Sequence, residues 1–156
     1  GANPPFSGYR KGATVLHWIY GEPMTTSGRD PMCVLIADDQ PQVRSALRLL
    51  LMQRTEPVTV EEAADLAELR ELRCTEPPDL VLLDWELPDQ GGCAALEQVR
   101  AAWPEAAVIV LSGLPESRQA ALLAGADAFV SKGDPPEQLI DAVRQCRLDE
   151  AHTASS

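Results

Sequence analysis

Histidine is almost missing from this chain, and bases are scarce. Its two histidines, His17 and His152, sit near the ends, which excludes histidine catalysis from the patterned middle. Lys plus Arg total 13 against 24 Asp plus Glu, a formal charge of −11. A field of that sign argues against nucleic acid or an anionic membrane as a direct partner and favours metal cations and basic protein faces. Cys33, Cys74, Cys93 and Cys146 are scattered, with no C-x-x-C pair and no histidine beside them, so a zinc site is excluded. They read as reduced, partly buried thiols of a cytoplasmic protein. No apolar run approaches the ~20 residues of a membrane span. "RKGATVLHWIYG" has a basic and an apolar part, but the apolar part is short, holds His17 and precedes no small-x-small site, so a signal peptide is a poor reading. Repeats and low-complexity tracts are absent.

What is present is enough apolar material, 45% of 156 residues, for one domain with a proper core. Residues 1–31 are rich in Gly, Pro, Ser and Thr and read as a flexible extension, with a short helix or strand at 14–20. Gly1 stands where a Met is usual, and Met24 and Met32 are alternative natural starts. From Cys33 onward, short aliphatic runs alternate with helical periodicity. Runs at 34–37, 58–60, 80–83, 107–111 and 128–130 have strand length. Helical patterns follow at 41–54, 63–73, 92–102 and 116–124, and after Asp134-Pro135-Pro136-Glu137, which supplies an N-cap, first-turn prolines and a capping-box acid. Five βα units with continuous rather than alternating strand runs predict an α/β fold, a parallel sheet covered by helices on both faces. Residues 32–148 form that domain, and 149–156 a short tail.

The strand exits carry the chemistry. In open parallel sheets, ligands bind outside the carboxyl ends of the strands, and four of the five exits here are polar: Asp38-Asp39, Asp84, Ser112 and Lys132. One acid at such a place needs no function, since acids favour the N-terminus of the next helix. Four chemically complementary exits are harder to dismiss. Three gathered carboxylates repel, and a cation relieves them. An oxygen-only set with open positions suits magnesium, with manganese as the alternative. A lysine and a hydroxyl then face phosphoryl oxygens, and one carboxylate remains as nucleophile for an aspartyl phosphate.

These residues, in this order and spacing, resemble the response-regulator receiver domain of two-component signalling. The resemblance runs from Cys33 to Leu148. It rests on Asp38-Asp39, on Asp84 in "LVLLDWELPDQGG" with Pro88 and Gly92 behind it, on Ser112 in "VIVLSG", and on Phe129 three residues before Lys132 in "AFVSKG". "GADAFVSK" is closest to receivers of the LuxR/NarL-like subgroup, which usually precede a helix-turn-helix domain, so a role in transcription regulation comes with it. The resemblance implies a flavodoxin-like sheet of order 2-1-3-4-5. It implies Asp84 as phospho-acceptor, and Mg2+ held by Asp38, Asp39, Asp84 and the Glu86 backbone carbonyl. Ser112 and Lys132 bind the phosphoryl group, and Phe129 is the switch aromatic. The implied donor is a sensor histidine kinase or phosphotransfer protein. The implied output surface is the fourth helix, last strand and last helix, with a homodimer as a further assembly. Beyond taking on and losing its own phosphoryl group, no enzyme activity is implied.

Five positions depart from that pattern. Gly133 follows Lys132 where many receivers carry a cis proline; a cis bond to a non-proline costs about 2.5–4 kcal/mol, so this bond is expected trans. Glu86 is an acid beside the attacking-water path, either tuning dephosphorylation or simply solvated. Gln90 and Gly91 replace the commoner Met and Asp. Phe129 lacks the hydroxyl of the usual tyrosine and is expected to stay buried. Bland readings stand beside the others: Phe129 as an ordinary core aromatic, Ser112 as a strand-end hydroxyl, Lys132 as a solvated charge. Two other functions remain open. One is a degenerate receiver that binds partners without phosphorylation, although such modules usually lack a member of this set. The other is an aspartate-nucleophile phosphohydrolase like the haloacid dehalogenases, which need a second Asp where Glu86 stands and a cap domain. With only "DEAHTASS" after Leu148, a stand-alone receiver is favoured over a piece of a longer regulator.

Overall fold

The computed structural model describes residues 16–19, 22–25, 31–54, 56–72, 76–88 and 91–154. Near the N-terminus β1 (Leu16–Ile19) pairs antiparallel with β2 (Glu22–Thr25). The short element expected at 14–20 is thus a strand over 16–19, and most of the expected extension lies outside the described residues.

The domain proper is a five-stranded parallel sheet. Its strands are β3 (Met32–Ala37), β4 (Val58–Ala63), β5 (Leu80–Asp84), β6 (Ala107–Ser112) and β7 (Ala128–Ser131), in spatial order β4-β3-β5-β6-β7. Counted within this sheet alone, that is the expected order 2-1-3-4-5. The helices among the described residues are α1 (Pro41–Met52), α2 (Leu66–Glu71), α3 (Gly91–Ala102), α4 (Arg118–Leu123) and α5 (Pro136–Ala154), with a 3₁₀ turn at Pro115–Ser117 leading into α4.

Side-chain alternation along the strands explains why the runs are apolar throughout. Leu35, Ala37, Val81, Leu83, Val108, Val110 and Phe129 point to one face and pack with Leu66 and Leu69 of α2, Leu96 and Val99 of α3, and Ala121 of α4. Val34, Ile36, Leu80, Leu82, Ile109, Leu111 and Val130 point the other way, onto Leu47 and Leu51 of α1 and Leu139 and Val143 of α5. Both faces are covered, so no strand residue of the middle three can be polar until the strand ends.

Two boundaries differ from the sequence reading, each for a local reason. The second helix was expected from Ala63, but β4 runs on through Ala63, paired with Ala37. Asp65 then caps α2 by accepting from the Glu68 N–H at 2.8 Å, while Glu68 Oε1 reaches back to the Ala64 N–H. The expected Asp134 cap is not used as one. Its Oδ2 accepts from the Ser131 N–H at 3.1 Å, closing the turn after β7, and α5 starts at Pro136. At its other end α5 continues to Ala154, past residue 149. The bond from Lys132 to Gly133 is trans.

Candidate functional site at the sheet's switch point

The chain leaves β3 toward β4 on one side and returns as β5 on the other. Where strand order reverses, the connections diverge and leave a crevice at the carboxyl ends. Asp38 and Asp84 sit on its two sides.

Asp38 keeps the ladder going for one more residue, its N–H bonding Ala63 O at 3.0 Å. Its Oδ1 accepts from the Gln40 N–H at 2.9 Å, and Arg44 Nη1 holds its carbonyl at 2.7 Å. That local turn delivers Pro41 into the first position of α1, where the missing N–H costs nothing. Asp84 is fixed in the same way: its Oδ1 accepts from the Glu86 N–H at 2.9 Å. Both carboxylates are 1% exposed, whereas Asp39 is at the surface. One carboxylate oxygen from each of Asp38, Asp39 and Asp84 lies within 4.8 Å of the other two.

Lys132 follows β7, its N–H bonded to Ser112 O at 2.8 Å. Its ammonium reaches Asp38 Oδ2 at 2.9 Å and Asp84 Oδ1 at 3.3 Å. One cation among three acids leaves the cluster electron-rich. Burial pushes the Asp84 carboxyl up to about 6; the Glu86 amide opposes the shift, the Asp38 charge adds to it, and Lys132 moderates it. Burial alone pulls Lys132 down, but its hydrogen bond to Asp38 and the charges of Asp38 and Asp84 outweigh that and hold it above its usual value.

Ser112, fully buried, lies one register position beyond Asp84 on the neighbouring strand. Its hydroxyl donates to Glu86 Oε2 at 2.5 Å and accepts from the Leu114 N–H at 2.9 Å. The Gly113 N–H donates to the other Glu86 oxygen, Oε1, at 3.0 Å. Phe129 is 8% exposed, against the α4 side of the sheet, with the Arg118 guanidinium 6.0 Å from its ring centre.

Asp38, Asp39, Asp84 and Lys132 therefore meet directly, and Ser112 joins through Glu86. Phe129 stands further back along β7. The sequence reading missed the Glu86 carboxylate as the partner of Ser112 and Gly113; the one signal for it was an acid two residues after Asp84. Trp85 and Gly92 were also undervalued. A Cβ on Gly92 would stand 2.4 Å from Trp85 Cε3 and 2.7 Å from the Trp85 carbonyl.

The donor set fits a hard divalent cation. Every ligand offered is oxygen, as magnesium prefers. The Lys132 ammonium, 2.9 Å from the buried Asp38 Oδ2 and 3.3 Å from Asp84 Oδ1, sets one positive charge against three carboxylates. A cation at the crevice would offset the negative charge that remains.

Fold and site together define a doubly wound α/β domain with an acidic, lysine-bridged centre at its switch point. Residues 34–144 match the response regulator receiver domain family, and the chain belongs to that family. It is 30% identical over 126 residues to the nitrate/nitrite response regulator NarL of Escherichia coli K12, covering 80% of this chain and 58% of that protein. It is likewise 30% identical over 125 residues to the uncharacterized transcriptional regulatory protein YxjL of Bacillus subtilis, covering 79% and 57%. The chain thus spans little more than half the length of these relatives. Among solved structures it resembles a LuxR-family two-component response regulator from Aurantimonas (TM-score 0.66, 31% identity, 74% of this chain and 84% of that one). It also resembles a CheY-like receiver domain protein from Methanospirillum hungatei (TM-score 0.63, 27% identity, 80% and 99%).

Proposed function

We propose that the chain is a phospho-accepting switch in which Asp84 takes a phosphoryl group from a histidine of a sensor kinase or phosphotransfer protein. The observation that carries this is the Lys132 ammonium lying between the two buried carboxylates of Asp38 and Asp84. Asp84 Oδ1 is engaged by the Glu86 amide and Lys132, which orients Oδ2 as the attacking oxygen. In the transfer, Asp84 Oδ2 forms a bond to phosphorus as the phosphorus–nitrogen bond of the donor breaks. The bonding pair leaves on the imidazole, and an acyl phosphate remains on Asp84. Lys132 and the Ser112 hydroxyl take oxygens of the transferred group, since such reactions depend on positioning and charge neutralisation. A divalent cation, Mg2+ or Mn2+, held by Asp38, Asp39, Asp84 and the Glu86 backbone carbonyl, would offset the excess negative charge of carboxylates and phosphoryl oxygens.

The added charge, about −1.5 to −2, biases a two-state arrangement of the β6–α4 connection, with Phe129 as the switch aromatic in contact with α4. The surface of α4, β7 and α5 then serves as the output face, toward a protein partner or a second copy of the chain. Glu86 further tunes loss of the phosphoryl group. A direct nucleic-acid or membrane contact is not part of this reading; among the described residues no helix is long and apolar enough to cross a membrane. We place the domain in the cytoplasm, with the kinase's transfer side.

Intact mass after incubation with acetyl phosphate and magnesium tests the proposal. The expected result is one base-labile phosphoryl adduct, absent from Asp84→Asn and from the metal-free sample. A folded protein that binds magnesium yet gains no adduct would return the chain to a phosphorylation-independent binding module.

A further inference from the structure

Two donors close to the acceptor are already spoken for. The single proton of the Ser112 hydroxyl is directed at Glu86 Oε2 at 2.5 Å, and the Gly113 N–H at Glu86 Oε1 at 3.0 Å. The hydroxyl oxygen also accepts from the Leu114 N–H at 2.9 Å, and the Leu114 carbonyl, at 3.3 Å, is a longer alternative acceptor for its one proton. Two adjacent donors converging on the two oxygens of one anion form a small anion site, and the anion in it belongs to the chain itself. Glu86 is tied to the acceptor as well, because its own N–H bonds Asp84 Oδ1. Its side chain is exposed, so it can leave for solvent without disturbing the core.

We propose that the Glu86 carboxylate is a resident stand-in for the phosphoryl group, holding the Ser112 hydroxyl and the Gly113 amide until a phosphoryl oxygen displaces it. The inference rests on the reading of Asp84 and Ser112 given above and adds a specific cost to it. An incoming phosphoryl oxygen gains the Ser112 hydrogen bond only by breaking one that is already charge-assisted. Phosphorylation therefore exchanges one anion for another at these donors rather than filling an empty site. Glu86 is a positioning residue here, acting through Ser112 and Gly113.

The test uses beryllofluoride with magnesium as a non-covalent phosphoryl mimic, with acetyl phosphate and intact mass in parallel. From acetyl phosphate, the bond from Asp84 to phosphorus forms as the bond from phosphorus to the acetate oxygen breaks, and the pair leaves on acetate. Replacing a charge-assisted partner changes binding by about tenfold. Glu86→Ala is expected to bind beryllofluoride about tenfold more tightly and to acquire its adduct faster, with Glu86→Gln in between. Removing any nearby negative charge also helps an anion through space, so the double-mutant cycle with Ser112→Ala decides the mechanism. Competition for the hydroxyl requires most of the Glu86→Ala gain to disappear in the Ser112→Ala background. An equal gain in both backgrounds means simple repulsion and overturns the proposal, as does an unchanged or weakened affinity in Glu86→Ala. Failure of every folded protein, the unaltered chain included, to bind beryllofluoride or gain an adduct would instead remove the phospho-acceptor reading, and the stand-in with it.

Discussion

Asp84 carries its charge at a cost, and that cost is measurable. With the carboxyl raised from 3.8 to about 6, the folded chain holds a proton at pH values where the unfolded chain has lost it. Stability therefore falls as pH rises from about 4 to about 6, and the full penalty, on the order of 3 kcal/mol, is present at pH 7. Asp84→Asn removes the charge and keeps the shape. We expect it to raise the urea-unfolding free energy of the metal-free protein at pH 7 by 1–3 kcal/mol, roughly, and the gain to shrink toward zero near pH 4. A variant no more stable at pH 7 would mean that Lys132 fully compensates the carboxylate. The same proton competes with a cation. If Asp84 titrates near 6, the apparent magnesium affinity measured by calorimetry should be about tenfold weaker at pH 5 than at pH 7. At this scale the sequence was legible wherever an aliphatic run stopped on a polar residue: Asp38, Asp84, Ser112 and Lys132 all stand at strand ends. It was silent on the pairing of Glu86 with Ser112, which are 26 residues apart. Their meeting depends on the path of a turn and the rotamer of an exposed side chain, and neither leaves a periodic trace.

Elements reach the site through close contacts that composition does not advertise. Helix α3 starts against the turn that follows Asp84, and only hydrogen at Gly92 lets it approach the Trp85 ring and carbonyl. The neighbouring Gly91 is needed for another reason: its φ is 83°, with open space around it, so its cost on substitution is backbone strain alone. Gly92→Ala must push helix and turn apart, and overpacking of that kind costs about 1–3 kcal/mol. Its distinguishing effect is on function. Because the acceptor turn moves, slower adduct formation from acetyl phosphate should accompany the loss of stability in Gly92→Ala. In Gly91→Ala the loss of stability should come without it. Equal rates in the two variants would show that α3 does not position the acceptor. Elements themselves were largely legible, since helices and strands of this fold have distinct periods. Of the misplaced boundaries, Ala63 is held in β4 by its pairing with Ala37, while the Asp134 side chain took a different backbone amide from the one expected. Asp134 closes the turn after β7 instead of capping α5, a competition that local pattern cannot arbitrate.

Over the whole molecule the acids serve two distinct ends. Most of the 24 acidic side chains contribute a diffuse field, whereas Asp38, Asp39 and Asp84 are concentrated at one point. The sheet order was legible because five βα units with doubly buried strands admit few arrangements, and the crevice follows from that order. Which acids are structural and which are gathered follows only from the fold: Glu62, on edge strand β4, is held by Arg44 and Arg48 and sits below its usual pKa through those bonds. The diffuse and local effects can be separated with salt. Net charge of −11 opposes compaction, and added NaCl should stabilise the chain by screening over a Debye length of about 10 Å at 0.1 M. That increment belongs to all the acids, so Asp38→Asn/Asp39→Asn should show nearly the same one. Magnesium chloride at matched ionic strength should do more, because a ligand that binds only the folded state adds about 2.7 kcal/mol at a hundred times its dissociation constant. The extra stabilisation should be confined to the unaltered chain, where Asp38, Asp39 and Asp84 are gathered. An equal magnesium increment in the double variant would make the cation part of the general atmosphere and leave the acidic centre without a resident ion. Its absence there, with the sodium effect retained, would assign the magnesium to the crevice between β3 and β5.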